Sequence, residues 1–189
     1  MLKPVREWYS EHPWKPISIY VAAAWGAFYV LFLIYAARNS GGFLFIDNVN
    51  LVIHEGGHPL FGWFGERLGV YGGTLLQWLV PFALATYFFF QRQVAGFVFS
   101  LFFFFENWLY TATYMADARA QVLPLVAIGG GEGDENMHDW YNIFSQWGVL
   151  DRDMEIAHFV RVCGWIGMIG SVLFLAWRAR QDRTSEPAS

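Results

Sequence analysis

The sequence predicts an all-α integral membrane protein: one domain over residues 1–189, with about five transmembrane helices and a short interfacial helix. Three observations carry that expectation. Charged residues make up only 15% of the chain, against about 25% in a typical soluble domain. The apolar residues, 56% of the total, gather into blocks close to the roughly 20 residues that a helix needs to cross a bilayer. Trp8, Tyr9 and Trp14 stand just ahead of the first block, where aromatic side chains commonly sit at headgroup level.

Residues 1–16 are polar and punctuated by proline. The block 17–37 is long for the apolar part of a signal peptide and follows a bulky polar segment, so it is expected to stay as a span. Residues 38–42 read as a turn. The second block, 43–64, is closed by Glu66 and Arg67. The third, 72–90, contains Pro81, which should kink it. Residues 91–93 form a short hairpin into the fourth block, 94–114. Residues 119–155 are mostly a polar connection, with Gly129-Gly130-Gly131, then Glu132, Asp134 and Glu135. Within it, 140–147 reads as the interfacial helix. The fifth block is 156–177, and 178–189 is a polar tail.

Orientation meets a conflict. Lys3, Arg6 and Lys15 lie at one terminus and Arg178, Arg180 and Arg183 at the other, and the positive-inside rule would keep both in the cytoplasm. Five crossings put them on opposite sides. Either one apolar block does not cross, or one end breaks the rule. A multi-pass protein of a bacterial plasma membrane is the expected setting.

Composition excludes some functions. The net charge is −4, and no basic stripe interleaved with aromatics is present, so nucleic acid is not an expected partner. Cys163 is the single cysteine, which rules out an internal disulfide and a thiolate-rich metal site; in an apolar run it reads as a small core residue.

The second block holds His54-Glu55-Gly56-Gly57-His58. On a helix the two imidazoles are one turn apart on one face, placed to share a metal ion. Glu55 is displaced by about 100°, near enough to touch a metal-bound water without ligating the metal. This is H-E-x-x-H spacing, with two zinc ligands and a general base. Zinc lowers the pKa of its water to about 7, and Glu55 is the group to take that proton and pass it to the leaving amine. Chance, or two histidines that merely pair helices, is the bland alternative. It is disfavoured because two of only five histidines fall at this spacing within an apolar block, where ionisable groups are costly unless paired or metal-bound. Gly56 and Gly57 permit close approach of another backbone. Pro59 frees the Glu55 carbonyl and disfavours helical geometry at His58, so a kink or an end is expected there.

The segment 48–73 resembles the core of the site-2 protease family of membrane-embedded zinc metalloproteases. It has the H-E-x-G-H core in an apolar block, followed by Gly62, Gly65, Gly69 and Gly72-Gly73. The resemblance implies peptide-bond hydrolysis within or beside the membrane, with Zn2+ as cofactor and a transmembrane or membrane-proximal polypeptide as substrate. It also implies an aspartate ligand in a Leu-Asp-Gly stretch, which this chain lacks: Leu150-Asp151 is followed by Arg152, with no Asn/Pro-rich motif before it.

A catalytic zinc usually takes three protein ligands, so a third must come from elsewhere. His138 and Asp139, adjacent and just ahead of the interfacial helix, are the best pair. The preference of zinc for imidazole favours His138, with Asp139 as a ligand or as a support for a ligating histidine. The bland reading has Asp139 capping the helix and His138 facing solvent. His12 and His158 read as structural or solvated.

Further polar groups lie in the apolar blocks. Glu106, Tyr110, Thr113 and Asp117 form one helical stripe, with Asn107, Thr111 and Tyr114 beside it, facing protein or a water-filled cavity rather than lipid. Gln77, Glu106 and Asn107 are candidate substrate-binding residues, or else helix-pairing groups. Asp47 shares the face of His54 and His58 and is expected to cap its helix. The leading expectation is a zinc metallopeptidase. A zinc hydrolase of lipid amides or esters uses the same chemistry, and a non-catalytic metal-binding membrane protein would keep the motif without turnover.

Overall fold

The computed structural model describes residues 11–39, 42–123 and 138–185. Lys3, Arg6, Trp8, Tyr9 and the glycine-acid stretch 129–135 lie outside the described residues. Six α-helices are described: α1 (Ile19–Arg38), α2 (Asp47–Gly62), α3 (Glu66–Phe90), α4 (Val94–Ala116), α5 (Asp139–Trp147) and α6 (Asp153–Ser185), with a 3-10 turn, Leu150–Arg152, before α6. Among the described residues there is no β-strand.

Four helices are long and apolar enough to cross a membrane: α1, α3, α4 and the stretch Leu150–Thr184 that contains α6. Their outer faces expose Tyr20, Leu31, Phe82, Ile166 and Leu173. Apolar side chains spread this widely over a surface suit lipid, and helices satisfy their own backbone groups there. The all-α fold is therefore as the sequence predicts, with four helices among the described residues, rather than about five, long and apolar enough to span a membrane.

The helix carrying the histidines is not among the four. α2 has 16 residues, about 24 Å of helix, less than the roughly 30 Å of a bilayer core. It also starts midway along the bundle. After α1 the chain runs back inward: Thr113 donates to the Gly42 carbonyl, the Phe43 ring meets Tyr110 at 5.4 Å, and Asn50 reaches Glu106 in the middle of α4. α2 then returns to the end it came from and turns through Gly65, at φ +127°, into α3. Both ends of the described chain lie together: the Ile17 N–H donates to Asp182 at 3.0 Å, and Trp14 packs on Phe174.

Pro59 does not end α2, which continues one further turn to Gly62. Asp47 does not cap the helix as expected: it is the first helical residue, after Ile46 at the cap position, and its Oδ2 accepts from the upstream Leu44 N–H at 2.6 Å. α5 begins at Asp139, one residue before the expected start, and ends on Gly148 at φ +67°.

Two apolar clusters hold the bundle. One joins α1, α4 and α6 through Tyr29, Val98, Phe102, Met168 and Leu175. The other seats α5 on α4 and α6 through Met115, Trp140, Ile143, Phe144 and Ala157. Between α2 and α3 the contact is backbone on backbone. A Cβ on Gly57 would lie 2.1 Å from the Gly72 carbonyl oxygen, and one on Gly72 would lie 2.4 Å from that of Gly57. Small residues allow such approach where helices associate in lipid without a hydrophobic driving force.

Gly57→Ala is expected to wedge α2 from α3 and cost about 1–3 kcal/mol, the usual range for overpacking. Gly26→Ala, with nothing within 4 Å of its Cβ, should be neutral or stabilising by up to about 1 kcal/mol through helix propensity. Thermal unfolding in detergent compares the two; equal stability of both variants would refute the close-contact account.

Candidate metal centre

α2 sets His54 and His58 one turn apart, with ring centroids 4.9 Å from one another. The third member comes from α5. Asp139 Oδ2 lies 2.9 Å from His54 Nε2 and 3.3 Å from His58 Nε2. One ligand atom from each of the three residues falls within a 4.8 Å group, the geometry that could hold a metal ion. His54 and Asp139 are buried, and the His58 side chain is 29% exposed.

The far nitrogens of both rings are fixed by hydrogen bonds whose direction can be worked out. His58 Nδ1 lies 2.8 Å from the Gly69 carbonyl oxygen. A carbonyl only accepts, so Nδ1 carries a proton and Nε2 is the nitrogen left for a ligand. Burial lowers the His58 pKa, but the bond to Asp139 and its charge outweigh burial and hold it up at about 9, so that without a metal Nε2 is protonated toward Asp139. The His54 case runs through three residues. Asn107 Nδ2 donates to the Phe103 carbonyl at 2.9 Å, which turns its Oδ1 to Gln77. Gln77 Nε2 donates to that Oδ1 at 3.3 Å, which turns its own Oε1 to His54 Nδ1 at 2.7 Å. His54 Nδ1 therefore carries the proton, and its Nε2 is likewise left for a ligand. Fixing a ligand's tautomer through its outer nitrogen is the usual role of the groups behind a metal site.

Two imidazole Nε2 atoms and a carboxylate oxygen thus converge on one point in a mostly buried setting. Such an arrangement is repulsive until a cation, either a metal ion or an added proton, lies among them. Burial pushes the Asp139 pKa up, but the bonds and charge of His54 and His58 outweigh it and hold the carboxyl below its ordinary value. Gly73 shapes the site by lacking a side chain: a Cβ there would lie 2.5 Å from His54 Nε2.

Glu55 is partly exposed. It feels the charges of His54, His58 and Asp139 but is not in the three-residue ligand group, the placement expected of a group that acts beside a metal rather than on it.

His138, the favoured imidazole of the sequence reading, is not brought to the pair. It caps α5, its Nδ1 accepting from the Tyr141 N–H at 3.2 Å, while its Nε2 faces Asp117 at 3.4 Å and its ring lies against Tyr114. Burial depresses its pKa against the pull of Asp117. The roles of the two neighbours are exchanged, because the residue that caps a helix points its side chain back at the first turn and leaves the next residue free to face the bundle. Nor is the bland reading realised, since His138 is fully buried.

Gln77, Glu106 and Asn107, the candidate substrate-binding residues, are each 1% exposed or less and bond to protein. Gln77 and Asn107 support His54, and Glu106 is tied to Asn50. Asp151 lies in the 3-10 turn, outside the ligand group. Sequence reasoning did not single out the Gly69 carbonyl or the Tyr114 hydroxyl, which accepts from the Asp139 N–H at 3.2 Å. The glycine spacing of α3 signalled a close approach but not which carbonyl would be used. No family model, curated protein or solved structure matches this chain.

Asp139→Ala is expected to abolish high-affinity metal binding, while His138→Ala should leave it within a few-fold of wild type if α5 still docks. Asn107→Ala, which releases Gln77 to turn over, should cost about 10–100-fold. Metal titration calorimetry on the purified protein distinguishes these outcomes, and equal losses in His138→Ala and Asp139→Ala would overturn the ligand assignment.

Proposed function

We propose that the chain is a membrane-embedded zinc metallopeptidase that hydrolyses peptide bonds within or beside the bilayer. The observation that carries this reading is the convergence of the His54 and His58 Nε2 atoms with the Asp139 carboxylate, with Glu55 beside the cluster and outside it. Two imidazoles and one carboxylate suit zinc, and three protein ligands leave a fourth position open, as in catalytic sites. Bound there, zinc would supply a Lewis acid and an acidified water. Glu55 accepts a proton at its carboxylate and returns it to the leaving amine. Gln77, Asn107 and the Gly69 carbonyl hold the two rings in register.

The cations Lys15, Arg92, Arg178, Arg180 and Arg183 share the end of the bundle where the described chain begins and ends. By the positive-inside rule that end faces the cytoplasm, and the metal centre belongs to the opposite half of the membrane. One observation favours a second reading, a hydrolase of lipid amides or esters: no strand edge, on which an extended peptide commonly pairs, is found among the described residues.

Purified protein should hold about one zinc per chain, and His54→Ala combined with His58→Ala should hold none. Glu55→Gln keeps the ligands and should retain zinc while losing about 10²–10⁴-fold in turnover. Assays on a membrane-spanning peptide and on an N-acyl lipid, each in wild type and Glu55→Gln, separate the two readings. Metal bound with no Glu55-dependent hydrolysis of either substrate would leave only a non-catalytic metal-binding protein.

A further inference from the structure

Two carboxyl groups in the middle of the bundle take no part in the metal centre. Asp47, at the start of α2, is 4% exposed, and Glu106, at the centre of α4, is 1% exposed. Asn50 bridges them, its single amide nitrogen donating to Asp47 Oδ1 at 2.7 Å and to Glu106 Oε2 at 3.0 Å. The two carboxyl groups also meet each other within hydrogen-bonding reach. Among the described residues no Lys, Arg or His forms an ion pair with either. Among the described residues, Asp47 is the charge from α2 that faces Glu106, and none from α1, α3, α5 or α6 is found acting on the pair. On α4 itself the nearest ionisable neighbour is the Tyr110 phenol, which feels Asp47. Arg161 of α6 is bonded to Thr113, about two turns further along α4.

Two ionised carboxylates cannot lie in oxygen-to-oxygen contact in such a place, since buried charge must be paired or neutralised. A proton between the oxygens turns the repulsion into a hydrogen bond. The donors indicate which group carries it. Asp47 has both oxygens occupied, by the Leu44 N–H and by Asn50, and lies in the first turn of α2, where the helix dipole favours negative charge. Glu106 receives one amide N–H, and its Oε1 has no partner. Asp47 is thus the stabilised anion and Glu106 the acid.

We propose that Asp47 and Glu106 form a proton-binding site, and that the proton they share latches the re-entrant helix α2 to α4. The site is distinct from the metal centre and does not depend on the hydrolase reading. With the proton in place, Glu106 donates to Asp47, and Asn50 closes the bridge. Without it, two like charges face each other in the middle of the bundle and drive α2, which carries His54 and His58, away from α4. Proton occupancy at Glu106 therefore controls how firmly the metal-bearing helix is held.

Infrared spectroscopy of the protein in vesicles tests this directly. At neutral pH the wild type should show the carbonyl stretch of a protonated carboxylic acid, shifting in D2O. The band should vanish in Glu106→Gln and persist in Glu55→Gln. Its absence from the wild type, or its survival in both Glu106→Gln and Asp47→Asn, would overturn the proposal. A band seen only after sodium is removed would make this a metal-cation site instead, also against it. The latch has its own readout. A folded state that holds a proton which the unfolded chain releases loses stability as pH rises. Wild-type thermal stability should therefore fall from the ordinary carboxylate range up to the pH at which the band is lost and level off above it, while Glu106→Gln, neutral throughout and able to keep the bond to Asp47, lacks that fall. Wild-type stability that falls no more than that of Glu106→Gln below the pH at which the band is lost would overturn the latch. Should Glu106→Gln fail to fold, Asp47→Asn and the wild-type band still decide the matter.

Discussion

The close approach of α2 and α3 is the constraint from which the metal centre follows. With Gly57 lying on Gly72 and Gly73, the two backbones come near enough for an α3 carbonyl, that of Gly69, to take the outer proton of His58. The same approach brings Gln77 to the outer proton of His54. A larger residue at these positions would leave both rings with unsatisfied nitrogens and no fixed tautomer. The glycines thus act through geometry rather than flexibility, and the chemistry of the histidines is set by side chains that are absent from the neighbouring helix.

Much of the architecture was legible in the sequence because hydropathy reports burial in lipid directly. Blocks 17–37, 72–90 and 94–114 correspond to α1, α3 and α4. The second block misled for a physical reason. Its apolar content matches that of a span, but Asp47, Asn50, His54, Glu55 and His58 lie within twelve of its residues, and polar groups in that density need protein partners on more than one side. A helix that returns partway along α4 supplies those partners; one that crossed alone would not.

The histidine pair was legible because periodicity fixes which side chains share a face. The third member of the candidate ligand group was legible only as a pair of neighbours. Choosing between His138 and Asp139 by metal preference put chemistry before backbone, whereas the start of α5 decides it: the cap points inward along its own helix and the following residue points outward. Glu106 shows the reverse case. Its position in an apolar helix marked it as unusual, but nothing in the linear sequence indicated that its partner would be another acid, on α2, reached through Asn50 56 residues away.

The metal centre is also lopsided. His54 is walled in by Gly73, Gln77 and Asp139, and His58 keeps nearly a third of its side chain open. An ion lodged between them has one face toward protein and one toward the outside. Among the described residues, the exposed side of the group is that of His58 and Glu55. A chelator working from solution would meet His58 first and His54 last, which makes escape of the metal a sequential peeling rather than a concerted release.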